Sequence, residues 1–302
     1  MPPASQEQTL SVLRRRFRQA GIDPRKALGQ NFLIDLNLLD LLFRTAMLDR
    51  NDVVLEVGTG TGSLTMAMAR KAAEVVTVEL DPTLFALAGE QLYDRANVHM
   101  LQADALKNKN RLNPAVLELV DERLGAEPNR RFKLVANLPY NIATPLISNL
   151  LALDRPPVSM TVTIQKELAE RLVGRPGSKD YGALSIWVQS QCRTEIIRVM
   201  APSVFWPRPK VDSAIVQIEL DETLREKIPD RAFFHQFVRS MFFHRRKYLR
   251  SVLVSAVKGR LEKPDVDVIL GQLGLQENDR AERLDVPTML ALAEAVRARL
   301  GD

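Results

Sequence analysis

The sequence predicts an α/β fold in which seven mostly parallel strands form one helix-covered sheet, with a small all-α domain after it. Two observations predict it. Short β-rich runs alternate with helical patterns through the first two thirds of the 302 residues. Beyond about residue 225 the β signal stops and only helical periodicity remains. Hydrophobic residues make up 46% of the chain, enough for a sizeable core.

Residues 36–47 ("LNLLDLLFRTAM") carry apolar positions at helical spacing. The β-rich runs then follow as "VVLEV" (53–57), "VVTVEL" (75–80), "VHML" (98–101), "KLVA" (133–136) and "MTVTI" (160–164). Helical patterns separate most of them, as a parallel sheet requires. "TEIIRV" (194–199) and "SAIVQI" (213–218) flank a Pro-rich stretch with no helix between, which predicts an antiparallel hairpin at the sheet edge. Helices are expected over 231–257, 265–273 and 287–299. The domain boundary falls near 222–230.

Composition narrows the function classes. No run of about 18 apolar residues exists, which argues against a membrane span. The N-terminal "MPPASQEQTL" lacks an apolar stretch of the secretory kind, so a cytoplasmic location is expected. A single cysteine, Cys192, excludes an internal disulfide, and three scattered histidines offer no metal-ligand spacing, so no metal is expected. The net charge is +5, and its distribution is uneven. Residues 231–260 hold eight bases and no acid, whereas 261–302 hold nine acids against five bases. Such segregation predicts a cationic face for an acidic partner. A second basic run, "RRRFR" (14–18), reads as a solvated helix or as an arm for the same acidic partner.

"VVLEVGTGTGSLT" (53–65) is a strand leading into Gly58, Gly60 and Gly62 and then a helix. Glycines there permit positive φ and let backbone N–H groups approach a ligand. Ser63 stands where the dinucleotide fingerprint needs its third glycine. The second strand ends with Glu79, placed to accept from ribose hydroxyls. The third ends with Asp104, placed to accept from an adenine amino group. Acids at these tips, where phosphates would call for lysine or arginine, favour a nucleoside ligand with positive charge, S-adenosylmethionine. A ligand-free turn and solvated strand ends are the plainer alternative.

The fourth strand delivers "NLPYNIATP" (137–145) to the same edge. Thr144 is expected as N-cap and Pro145 at the first helical position. Asn137 can offer its amide oxygen to an incoming amino group, and Pro139 fixes the direction of the Leu138 carbonyl. Tyr140 offers a flat ring for a base. Two carbonyl acceptors gripping an exocyclic amine would free its lone pair and stabilise the charge that develops on methylation. The base must then be presented outside its stack, between two aromatic faces. "FWPRPKVDSA" (205–214) supplies candidates for the second face, Phe205 or Trp206, with Arg208 and Lys210 for phosphate.

These stretches, together with "LGQNFL" (28–33), "QKELAERL" (165–172), "GSKDYGALS" (177–185), "RRK" (245–247) and "RAERLD" (ending at Asp285), follow one another in an order that resembles the small-subunit ribosomal RNA adenine N6-dimethyltransferases. The resemblance spans roughly residues 25–290. It implies a Rossmann-like class I S-adenosylmethionine-dependent methyltransferase over 25–224, a helical RNA-binding domain over 225–302, and an N-terminal extension over 1–24. It also implies dimethylation of two adjacent adenosines in the 3′-terminal hairpin loop of 16S rRNA, within an immature small subunit, by a chain expected to be a monomer. Carried over by residue, the cofactor ligands would be Asn31, Leu33, Gly58, Glu79, Asp104 and Asn137, with Tyr140 and Phe205 sandwiching the base. Arg208, Lys210, Arg245, Arg246 and Lys247 would contact RNA. Thr59 departs from the family's proline in the glycine turn, and His244 and Tyr248 replace its usual Gln and Thr around the basic cluster. The macrolide-resistance type of 23S rRNA adenine methyltransferase shares the fold, and a largely non-catalytic assembly factor is an alternative of another class.

Overall fold

The computed structural model describes residues 10–19, 21–25, 29–244 and 247–301. Its centre is a seven-stranded sheet built on β2 (Asp52–Val57), β3 (Glu74–Glu79) and β4 (Val98–Gln102), with β7 (Arg131–Asn137), β8 (Ser159–Gln165), β9 (Cys192–Met200) and β11 (Ser213–Leu220). The strand order is β4-β3-β2-β7-β8-β11-β9. Pairings from β4 across to β8 are parallel, and β8 with β11 is antiparallel. Every residue of β2 is buried, which explains its near-continuous apolar run. A short hairpin, β5 (Leu106–Asn108) and β6 (Arg111–Leu112), follows β4. A separate two-stranded ribbon joins β1 (Phe32–Leu33) to β10 (Phe205–Trp206), and the sequence patterns gave no sign of it.

One chemical oddity of the core strands has a local answer. Lys133 lies inside β7 yet is buried, and its ammonium meets Asp52, itself fully buried, at 3.1 Å. It also donates to the carbonyls of Ala46 and Met47 at 3.1 and 2.9 Å. A buried charge is tolerable only with such full satisfaction.

Helices α1 (Leu10–Gln19), α2 (Leu36–Thr45), α3 (Ser63–Met68), α4 (Pro82–Leu92), α5 (Pro114–Gly125) and α6 (Ala143–Leu151) belong to the same unit as the parallel strands. Their starts follow capping chemistry. Asp35 accepts from Asn37 and Leu38 N–H groups ahead of α2, and Asp81 accepts from Thr83 and Leu84 ahead of α4, with Pro82 opening the helix. α6 begins one residue before the expected cap. Ile142 is its N-cap without a side-chain bond, so Thr144 and Pro145 lie inside the first turn, where a missing N–H costs nothing.

The chain forms two compact units, Met1–Ala169 with Glu195–Glu219, and Glu170–Thr194 with Leu220–Asp302. The last cut, after Glu219, falls a few residues before 222–230, whereas the excursion of 170–194 into the second unit has no mark in the sequence pattern. α7 (Lys166–Leu172) runs across the division, and α8 (Ala183–Gln189) lies in the second unit. There Trp187 stacks on His235 at 4.3 Å between ring centres, and the Tyr181 hydroxyl donates to the Leu284 carbonyl at 2.9 Å. The rest of that unit is α9 (Glu222–Arg225), α10 (Arg231–Met241), α11 (Leu249–Ala256), α12 (Lys263–Gln272) and α13 (Val286–Leu300). The single helix expected over 231–257 is therefore two. The reason is tertiary: the Leu249 and Arg250 N–H groups, orphaned at a helix start, bond to the carbonyls of Asp279 and Glu277.

Candidate functional site

Strand order reverses between β2 and β7, since β3 and β4 follow on one side of β2 while β7 and β8 lie on the other. In open α/β sheets the crevice at the carboxyl ends of such strands is where ligands bind. A cleft of about 780 Å³, counted to its open mouth, lies there. It is lined by Asn31, Gly58, Glu79, Asp104 and Asn137, five of the six expected cofactor residues. The sixth, Leu33, is buried in β1 and lines a smaller recess shared with Glu56, Gly58 and Asn137.

The glycine turn is built for close approach. Gly58 and Gly60 hold φ of +89° and +57°, where a side chain would be strained. A Cβ on Gly60 would meet the Phe32 ring at 3.2 Å, and one on Gly58 would meet Pro139 at 3.4 Å. The Gly60 N–H donates to Glu79 Oε2 at 2.9 Å, and the Asp81 N–H to Glu79 Oε1 at 2.9 Å. Both carboxylate oxygens keep a further lone pair. Burial raises the Glu79 pKa, and these N–H donors oppose the rise. Asp104 is exposed and gives Oδ1 to the Leu106 N–H at 2.9 Å. No lysine or arginine is among the described residues lining the cleft.

Beneath the turn lies a buried acid whose state the sequence did not reveal. Glu56 Oε2 accepts from the hydroxyls of Thr65 and Thr77 at 2.5 and 2.6 Å, and Thr77 in turn meets the Thr59 hydroxyl at 2.6 Å. Full burial pushes the Glu56 carboxyl up to about 8, against the two hydroxyl bonds that pull it down. Its role is a polar pillar under the turn.

At the end of β7 the Asn137 amide nitrogen donates to the Asn31 carbonyl at 2.8 Å. A carbonyl can only accept, so this contact fixes which way the amide faces and leaves Oδ1 as the acceptor end. The Leu138 N–H bonds to the Thr163 carbonyl at 3.1 Å, which anchors the peptide that follows. Tyr140 is half-buried, and its hydroxyl meets Ser213 Oγ at 2.5 Å, so one end of the ring is pinned to β11. Burial raises the Tyr140 pKa, and the Ser213 bond opposes it. Nothing in the sequence pattern marks Ser213, which sits in "VDSA", eight residues past Phe205.

Phe205 departs from expectation. It is 2% exposed and packs with Leu33 in the main apolar cluster, because β10 pairs it with Leu33. The ring has almost no open face in this structure. Arg208 and Lys210 are exposed on the loop after β10, and Lys247 is exposed beyond α10. Arg245 and Arg246 lie outside the described residues.

The lining fits a nucleoside with a positively charged tail: a glycine turn that leaves room for close approach, two carboxylates and side-chain amides surround the space, without cations for phosphate. Cys192 offers no rival chemistry, being buried with its thiol pushed up to about 12. No helix is long and apolar enough to cross a membrane, and no metal-holding group of His, Cys, Asp or Glu occurs, among the described residues.

Residues 22–295 match the family of ribosomal RNA adenine dimethylases. The chain is 38% identical over 275 residues to the ribosomal RNA small subunit methyltransferase A of Alkaliphilus oremlandii, covering 91% of this chain and 92% of the relative. It is 40% identical over 278 residues to the protein of the same name from Lactiplantibacillus plantarum, covering 91% of each. Among solved structures it is similar to a dimethyladenosine transferase from Plasmodium falciparum, with a TM-score of 0.70 and 24% identity over 88% of this chain and 97% of that one. A likeness to the 23S rRNA methyltransferase ErmE has a TM-score of 0.58 and 23% identity over 90% of this chain and 100% of that one. At those identities the two structures establish the fold alone.

Proposed function

The chain belongs to the ribosomal RNA adenine dimethylase family, and from that premise we propose that it dimethylates N6 of two adjacent adenosines in the 3′-terminal hairpin loop of 16S rRNA. The substrate would be an immature small ribosomal subunit in the cytoplasm, and the enzyme would act as a monomer. Similarity over 91% of the chain to proteins named for the small subunit supports this choice of RNA.

S-adenosylmethionine, when bound, supplies a methyl group on an electrophilic sulfonium. Glu79 would hold its ribose hydroxyls, Asp104 its adenine amine, and Gly58 would leave room for its body. Asn31 and Leu33 would close over it, and Asn137 would stand at the reacting end.

One observation carries the catalytic reading: the 2.8 Å bond that commits the Asn137 amide nitrogen to the Asn31 carbonyl and leaves Oδ1 as the accepting end of a side chain lining the cleft. Adenine N6 is a poor nucleophile because its lone pair is delocalised into the ring. Asn137 Oδ1 and the Leu138 carbonyl would accept its two hydrogens, draw the nitrogen toward a tetrahedral shape and stabilise the positive charge that forms. The bound cofactor would supply the methyl group for the new N–C bond, its sulfonium leaving as a neutral thioether, and the amine would then shed a proton to solvent. Holding the amine close to the methyl donor would supply much of the remaining rate. Tyr140 would stack on one face of the everted base. Phe205 would offer the other face only after the base displaces what now covers its ring. Arg208, Lys210, Arg245, Arg246 and Lys247 would hold phosphates.

The test is incubation of the pure protein with labelled S-adenosylmethionine and under-methylated small subunits, followed by mapping of the modified bases. Two adjacent N6,N6-dimethyladenosines in the terminal hairpin are expected. Label found only in large-subunit RNA would overturn the assignment.

A further inference from the structure

α1 has the sequence LSVLRRRFRQ, four arginines in ten residues with no acid. A turn of 3.6 residues places Leu13 and Phe17 on one stripe, with Arg14, Arg15 and Arg18 on the face beside it. The structure keeps that division: Leu13 and Phe17 are buried and the three arginines are exposed.

The buried stripe has a specific seat. Phe17 meets Phe32 edge-on at 5.1 Å between ring centres and Trp206 edge-on at 5.3 Å. Phe32 and Trp206 are themselves a cross-strand pair of the β1–β10 ribbon, and the next pair is Leu33 with Phe205. Leu84 at the start of α4 joins the same cluster. α1 is thus fastened to the ribbon that carries one expected cofactor residue and the expected base-stacking ring. The Arg14 guanidinium lies over the Trp206 ring at 5.9 Å.

The charge pattern is not that of an ordinary solvated helix. Arg14 and Arg18 stand four apart and Arg15 and Arg18 three apart, like-charge spacings that cost helix stability. Basic residues in the last turn suit the helix dipole, which accounts for Arg16 and Arg18 but not for Arg14 and Arg15. Among the described residues, no carboxylate forms an ion pair with any of the four. Exposed Arg208 and Lys210 follow Trp206 by two and four residues, so further positive charge continues from the same ribbon.

Resting on the function proposed above, we infer that α1 is an RNA-docking helix: Phe17 seats it on the β1–β10 ribbon, and Arg14, Arg15 and Arg18 bind backbone phosphates of the strand flanking the target adenosines. The contacts read charge, not sequence.

The experiment uses the full chain with Arg14→Ala, Arg15→Ala and Arg18→Ala combined. Binding to a 16S terminal-hairpin RNA is followed by fluorescence anisotropy across a potassium chloride series. Loss of three phosphate contacts is expected to make the slope of log K against log salt shallower by about two to three and to raise the KM for RNA. Affinity for S-adenosylmethionine, measured by calorimetry, is expected to stay within about twofold, since phosphate contacts lie outside the cofactor cleft. The same three positions changed to Lys are expected to restore most of the slope, because a phosphate contact needs the charge more than the guanidinium fork. A slope equal to that of the unmodified chain in the triple Ala variant would overturn the inference. Phe17→Ala keeps every arginine and removes the seat; a full slope there would overturn the seating. An unmodified chain that methylates no RNA would sink the proposed function instead, so the two failures are distinguishable.

Discussion

Asn137 and Glu56 show how single side chains acquire a role from their partners. Asn137→Ala removes one of two acceptors for the N6 hydrogens, and the expected loss in kcat is about 10²–10³, as for the removal of one oriented hydrogen-bonding group in other sites. Binding of the small subunit should change little, so single-turnover rates and a filter-binding assay separate the two effects. Glu56 is held neutral to about pH 8 by burial, whereas in the unfolded chain it ionises near the ordinary glutamate value. Between those two pH values the unfolded state has released a proton that the folded state retains. Stability at this site is therefore full below pH about 4.5 and declines as pH rises toward 8, by about 1.4 kcal/mol per pH unit. Glu56→Gln removes the titration. Urea denaturation at several pH values should show the unmodified chain losing ground to the variant from pH 5 to 8, and parallel profiles would refute the neutral acid.

Elements make the cleft, and the glycine turn between β2 and α3 is the one most sensitive to change. Gly60 sits at φ +57° against the Phe32 ring, so Gly60→Ala brings both left-handed strain and a 3.2 Å contact. A cost of about 1–2 kcal/mol is expected from the backbone alone. The displaced ring would also shift β1 and weaken cofactor binding beyond what stability loss explains. Thermal unfolding together with calorimetric titration of S-adenosylmethionine measures both. The turn was legible from three glycines after a buried strand because each needs only its own backbone. The β1–β10 ribbon was not, because two residues on each side carry no periodicity, and Phe205 accordingly looked like an open stacking ring.

For the whole molecule, the segregation of charge matters more than its total. The basic stretch 231–260 spans α10 and α11, with Arg245 and Arg246 between them. If both hold phosphates, Arg245→Ala with Arg246→Ala should make the salt slope of subunit binding shallower by about 1.5, without changing preference among RNA sequences. Anisotropy or filter binding across a salt series tests this, and an unaltered slope would remove the pair from the interface. The two compact units show a limit of reading along the chain. A boundary near 222–230 followed from the end of the β signal, yet residues 170–194 join the second unit through contacts such as Trp187 on His235 and Tyr181 to Leu284.

The α/β sheet, the glycine turn, the acids at successive strand ends and the Asn-Leu-Pro-Tyr loop are written along the chain. These follow from alternation, backbone freedom and position along one strand, all of which are local. Long-range packing sets which end of the Asn137 amide is committed to Asn31, that Glu56 keeps its proton, that Phe205 is covered, and that an arginine-rich helix is seated on the ribbon. Each of those depends on a partner brought from far away in the chain, such as Asn31 for Asn137 across 106 positions. Hydrogen-bond direction and burial are properties of the pair and its surroundings, and no spacing within one segment encodes them.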